Sequence, residues 1–166
     1  MNKQFWSKGP WDNEPNKKKF KYKGFEGFIN RNDLGALCGY VEIPLNHPIL
    51  KCLDIDEDGL EYEKLPLDVH GGVTFGKKAT NRKSGIEYYV VGFDCAHSED
   101  LIPFSTWMTN PDLPEEIKRN ESVQKLIALE EQSKYGFLKR TYRDIDFVTK
   151  EIKSMIDQIA NYKENK

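Results

Sequence analysis

Cysteine is sparse in this chain. Three occur among 166 residues, at positions 38, 52 and 95, and no two form a C-x-x-C pair. An odd, scattered set excludes a disulfide framework and suits the reducing cytoplasm. Long apolar runs are absent as well. Nothing approaches the roughly 18 residues of a membrane span, and residues 1–10 lack the apolar core of a signal peptide. Charge of one sign is not in excess: 25 Lys and Arg stand against 27 Asp and Glu, for a net charge of −2. General nucleic-acid binding is therefore not expected, because such domains are basic. The local exception is Lys17, Lys18 and Lys19 with Lys21 and Lys23. It reads first as a solvated edge strand, guarded by charge against pairing with another chain, and second as a phosphate-contacting patch. No P-loop, G-x-S-x-G, dinucleotide fingerprint or H-E-x-x-H is present.

What remains is a globular composition, 38% apolar and 31% charged, in a length that favours one domain spanning 1–166. Residues 1–20 read as an irregular leader carrying Trp6 and Trp11. Residues 21–29 suggest one strand bulged at Gly24 and Gly27, and residues 36–43 a strand ended by Pro44. Residues 60–69 could hold a strand interrupted by Pro66. A hairpin follows, with strands near 69–76 and 86–93, the second rich in the strand formers Tyr88, Tyr89, Val90 and Val91. Residues 101–114 are a proline-punctuated loop. Pro114, Glu115 and Glu116 then open a helix to about Ser133. A last helix spans about 142–162, with Ile145, Val148, Ile152, Met155, Ile156 and Ile159 at intervals of three and four. Residues 21–100 are thus mainly strands and 114–162 mainly helical. That order predicts an α+β fold, an antiparallel sheet with the C-terminal helices packed on one face.

The chain has three histidines, and two of them, His70 and His97, flank the hairpin. If residues 77–85 are its loop, His70 lies opposite about Gly92 and near the exit carrying Asp94, Cys95, His97 and Asp100. Gly71 and Gly72 allow positive φ and close approach of a ligand to backbone N–H groups, with Thr74 just beyond. His70, Asp94, His97 and Asp100 are competent ligands for zinc or manganese, but their spacing matches no zinc signature. Cys95 with His70 or His97 as base would be a nucleophile, although a free cysteine is more often simply buried. Hydrogen-bonding recognition of a polar ligand is the third use of the same groups. His47, before Pro48, is an outlying candidate. Arg143 at the start of the last helix could cradle a phosphate or pair with Asp144 or Asp146 on the surface. Asp54, Asp56, Asp58 and Gly59 copy the opening of an EF-hand loop, but Glu61 and Leu65 occupy its eighth and twelfth places, so an acidic turn is the better reading.

Several of these segments recur together. Gly9-Pro10-Trp11-Asp12-Asn13-Glu14-Pro15, Cys38-Gly39-Tyr40-Val41 followed by His47-Pro48, Val69-His70-Gly71-Gly72-Val73-Thr74, Gly92-Phe93-Asp94-Cys95-Ala96-His97 with Asp100, and Tyr142-Arg143-Asp144 resemble motifs of a family of uncharacterised bacterial and phage proteins. Asn16 stands where that pattern has aspartate, and Tyr88-Tyr89 where tryptophan is commoner. The resemblance implies that the motifs belong together and assigns no chemistry to them.

The favoured expectation is a small polar-ligand binding protein of the cytoplasm, with no cofactor and no membrane. His70, Gly71, Gly72, Thr74, Asp94, His97, Arg143, Trp11 and His47 are its candidate contacts, with Phe75 and Phe93 among the pocket walls. In a phage protein such a pocket suits sequestration of a nucleotide-type defence signal. One alternative is a metal-assisted hydrolase of a phosphoester, with His70, Asp94, His97 and Asp100 around zinc or manganese. The other is an inhibitor acting through protein–protein contact.

Overall fold

The computed structural model describes residues 6–53, 60–82, 84–110, 112, 114–121, 123–125, 128 and 140–163. Five strands form one antiparallel sheet: β1 (Lys17–Tyr22), β2 (Phe25–Arg31), β3 (Leu37–Pro44), β4 (Phe75–Thr80) and β5 (Glu87–Asp94), in the order β1-β2-β3-β5-β4. Among the described residues, helices α1 (Glu115–Lys118) and α2 (Ile145–Asn161) follow. The architecture is α+β, mostly sheet, with the C-terminal helix on one face, as the order of patterns implied. Among the described residues no helix is long and apolar enough to cross a membrane.

Strand alternation divides the sheet into two faces. Ile29, Val41, Ile43, Tyr89, Val91 and Phe93 are buried beneath α2, whose own stripe Val148, Ile152, Met155, Ile156 and Ile159 completes the core. Each large apolar side chain so buried contributes about 1.5–3 kcal/mol. Ile152 reaches the sheet backbone because the residues beneath it have no Cβ. A methyl on Gly27 would lie 2.8 Å from one branch of Ile152, and one on Gly39 would lie 2.9 Å from the other.

The N-terminal boundary differs from the expectation. The segment 21–29 is not one bulged strand, and the irregular leader ends before residue 20. Lys23 (φ 46°) and Gly24 (φ 85°) make a tight two-residue turn that splits it into β1 and β2. β1 reaches back to Lys17, paired with Asn30, and is an edge strand whose outward row is lysine. No strand occupies 60–69: Leu60–Lys64 is a 3-10 turn, and Pro103–Thr109 is another within the segment expected to be loop. The helix expected from Pro114 to Ser133 is not continuous: α1 ends at Lys118, Arg119 and Asn120 are not helical, and helical residues resume at Glu121, Val123, Gln124, Lys125 and Ala128. Residues 122, 126, 127 and 129–133, like the acidic turn 54–59, lie outside the described residues. α2 matches its periodic pattern, starting at Ile145 after the N-cap Asp144, whose Oδ1 accepts from the Phe147 amide at 2.7 Å.

A second connection holds the start of α2. Glu14 Oε1 accepts from the Ile145 amide at 2.9 Å. Its other oxygen pairs with Arg31 Nη2 at 2.9 Å and accepts from the Tyr142 hydroxyl. Arg31 is buried, and Asn16 Oδ1, the Gly35 carbonyl and the Tyr142 oxygen accept its remaining bonds. The Gly9–Pro15 motif is therefore an anchor for the last helix.

Candidate functional site

The β4–β5 ladder pairs Phe75 with Gly92 and Thr80 with Glu87, so the loop is 81–86 and not 77–85. That register moves His70 away from Gly92 and toward His97. The chain leaves the ladder at Thr74, whose amide still donates to the Gly92 carbonyl at 3.0 Å. It then turns through Gly71 (φ 68°) and Gly72 (φ 86°). A Cβ on Gly71 would lie 1.9 Å from Cε1 of His97, so the second imidazole seats directly on this backbone. The His70 and His97 rings meet edge to face, centroids 5.2 Å apart.

Asp100 organises the cluster. Its side chain is fully buried, and its two oxygens lie 2.8 and 3.0 Å from His70 Nε2. Oδ2 also accepts from the His97 amide at 3.1 Å and lies 3.3 Å from His97 Nδ1. Oδ1 accepts from Arg143 Nε at 2.8 Å. Burial alone would raise this carboxyl, but hydrogen bonds from His70, Arg143 and the His97 amide hold it below its usual value. A carboxylate facing a ring nitrogen selects the tautomer with hydrogen on that nitrogen. His70 Nδ1 and His97 Nε2 are then the lone-pair nitrogens of the neutral rings. Arg143 arrives because Thr141 bridges Asp100 in parallel, its amide donating to the Glu99 carbonyl at 2.8 Å and its carbonyl accepting from the Leu101 amide at 3.0 Å.

α2 backs the cluster. The Phe147 ring lies 5.3 Å from the His70 ring and 4.8 Å from the Arg143 guanidinium carbon. Glu151 Oε2 accepts from the His70 amide at 3.0 Å. Neither residue was singled out in the sequence. The available signal was their spacing: Phe147 and Glu151 are four apart on one face of α2, and Arg143 stands four residues before Phe147, just ahead of the N-cap.

The other sequence candidates lie elsewhere. Asp94 pairs in register with Cys38 and shares the sheet face of Tyr40, opposite α2. Its oxygens accept from the Thr74 hydroxyl at 2.8 Å and the Ala96 amide at 3.0 Å, so Asp94 and Thr74 serve each other. Phe93 is buried in the core and Phe75 stands on the open face, so these rings wall no common pocket with Trp11. Trp11 is buried and packs edge-on against Tyr142, 5.2 Å between centroids. His47 caps the turn Pro48–Cys52, its Nδ1 accepting from the Ile49 amide, beyond the Pro44 end of β3. The cluster lies past the Asp94 end of β5, which pairs with the opposite end of β3. The backbone nest is not formed as expected, because the His70 amide donates to Glu151 and the Gly72 amide to the Val69 carbonyl. Cys95 is buried, and burial pushes its thiol well up, away from the thiolate a nucleophile needs.

Metal-ligating atoms of His70, His97 and Asp100 all lie within 4.8 Å of one another. Two imidazole nitrogens and one carboxylate oxygen suit zinc or manganese, and Asp94 is not part of this group. Comparison with family models, with curated proteins and with solved structures finds no match to the chain.

Proposed function

We propose that the protein binds a small polar ligand bearing a phosphate-like anion at the His70–His97–Arg143 edge of this cluster. The observation that carries the reading is the alignment of three nitrogen-rich side chains by one buried carboxylate, Asp100. The three side chains keep 15%, 29% and 22% of their surface exposed, whereas Asp100 keeps none. The aligned guanidinium and imidazoles have lost their rotamer freedom beforehand, which lowers the cost of binding. A nucleotide is the ligand class that the sequence expectation names.

The test is mass spectrometry of small molecules released from the denatured protein, joined to calorimetric titration with inorganic phosphate and nucleoside phosphates. The expected result is an intact phosphorylated ligand and saturable binding, at least tenfold weaker in Arg143→Gln and His70→Gln. Binding unchanged in both variants overturns the reading.

The short separations among the metal-ligating atoms favour one further reading, a metal-assisted hydrolase. Zinc or manganese on His70, His97 and Asp100 would lower the pKa of a bound water, with Arg143 beside it for a phosphoester. Elemental analysis without chelator separates the two. A stoichiometric metal, with turnover of an activated phosphodiester, supports the hydrolase; metal-free protein that binds phosphate supports the binder.

A further inference from the structure

The sheet face opposite α2 carries a row of side chains that the cluster does not use. Across the strands the register aligns Lys19, Phe28, Tyr40, Gly92 and Phe75, one residue from each strand. Phe28 and Tyr40 stack with centroids 4.8 Å apart and planes 14° apart, and Phe75 meets Tyr40 edge-on at 5.4 Å. Gly92 makes room for this row, since a Cβ there would lie 2.4 Å from Cδ1 of Tyr40. Phe75 is 38% exposed, and a cavity of about 790 Å³ lies over the rings.

The charges sit at the two margins. Lys17 and Lys19 stand on β1 at one edge of the sheet and Lys77 on β4 at the other. Lys17 and Lys77 have no partner among the described residues, while Lys19 offsets Glu42 (3.4 Å) and Glu26 (3.5 Å) on the face between them. Four strand spacings separate the edges, about 19 Å. Aromatic rings between two cationic margins are complementary to a strand whose bases stack and whose phosphates lie outward.

We propose that this open face binds single-stranded nucleic acid, with bases stacked on Phe75, Tyr40 and Phe28 and phosphates met by Lys17, Lys19 and Lys77. The net charge of −2 does not oppose this, because the margin lysines act locally and stacking on aromatic rings tolerates any base. The site is separate from the Asp100 cluster, which lies on the side of α2, so each proposal can fail without the other.

Fluorescence anisotropy of a labelled 15-nucleotide deoxythymidine strand tests it on the full chain. Expected are saturable binding, a log–log salt slope of about −2 for three phosphate contacts, and about tenfold weaker binding in Phe75→Ala. Lys77→Gln should flatten the slope by about 0.7, and Lys163→Gln, at an exposed position just beyond α2, should leave it unchanged. Phe75 is exposed, so its truncation should preserve the fold, with circular dichroism as the check. Wild-type affinity in Phe75→Ala overturns the proposal, as does equal affinity for duplex, which cannot stack on the face. So does a dimer that Phe75→Ala dissolves in protein that binds no strand, because the face would then be a contact between copies.

Discussion

His70 Nε2 and Asp100 Oδ2 lie 2.8 Å apart across thirty positions of sequence. This bond joins the turn before β4 to the turn after β5, and Arg143 on the same carboxylate adds the entry to α2. One carboxylate thus touches both turns flanking the β4–β5 ladder and the residue that leads into α2.

Asp100→Asn should lower the unfolding free energy by about 2 kcal/mol near neutral pH, the cost of weakening buried bonds to a charged acceptor. The carboxyl titrates lower in the folded chain than its ordinary 3.8. Its stabilisation is therefore complete above that value and disappears as pH falls through the lower folded one. The urea midpoints of wild type and Asp100→Asn should differ most near neutral pH and draw together as pH falls below 3.8. Parallel curves would show that another group carries the acid sensitivity.

Gly71→Ala and Gly72→Ala should differ, although both positions have positive φ. A methyl at Gly72 meets nothing within 4 Å, so strain of about 1–2 kcal/mol is its whole cost. A methyl at Gly71 occupies the place of the His97 ring and must expel it. The Gly71 variant should lose more stability and shift the imidazole resonances of His97, as read by denaturation and by nitrogen-15 NMR. Equal losses with unmoved resonances would contradict the seating described.

Ellman's reagent should find one fast thiol in the native protein. Cys52 is exposed, whereas Cys38 and Cys95 are buried and burial pushes both thiols upward. The other two should appear only on denaturation. Rapid labelling of Cys95, read by peptide mapping, would revive it as a nucleophile.

Arg31→Lys should cost about 3 kcal/mol despite keeping the charge, because an ammonium cannot replace a fork bonded to Glu14, Asn16, Tyr142 and the Gly35 carbonyl. Tyr142→Phe, which leaves the Arg31–Glu14 pair in place, should cost about 1 kcal/mol. Thermal unfolding of the two variants should rank them in that order.

Local patterns carried the fold class. The stripe from Ile145 to Ile159 and the apolar run Tyr88–Val91 needed no long-range information, and both elements stand where their periodicity placed them. The lysines of β1 read correctly as an edge strand, but Lys17, Lys18 and Lys19 in succession hide the alternation that Phe20 and Tyr22 continue, so its start was placed too late. His70, His97, Asp100 and Arg143 were legible as candidates, but their grouping was misjudged around Asp94. Alternation turns Asp94 onto the open face, while Asp100 returns to the imidazoles through a turn in which its amide donates to the His97 carbonyl. That turn and the Thr141 bridge depend on contacts between distant segments. The same holds for Glu14 with Arg31, and for the aromatic row, which exists only once four strands are in register.

The amide of Ile145 finds its acceptor on Glu14, 131 positions earlier. A nascent chain still on the ribosome at that point has made all five strands but not the helix that covers them. Its core residues from Ile29 to Phe93 stay wet until α2 emerges to cover them. A chain truncated before α2 is therefore a bare sheet prone to aggregate.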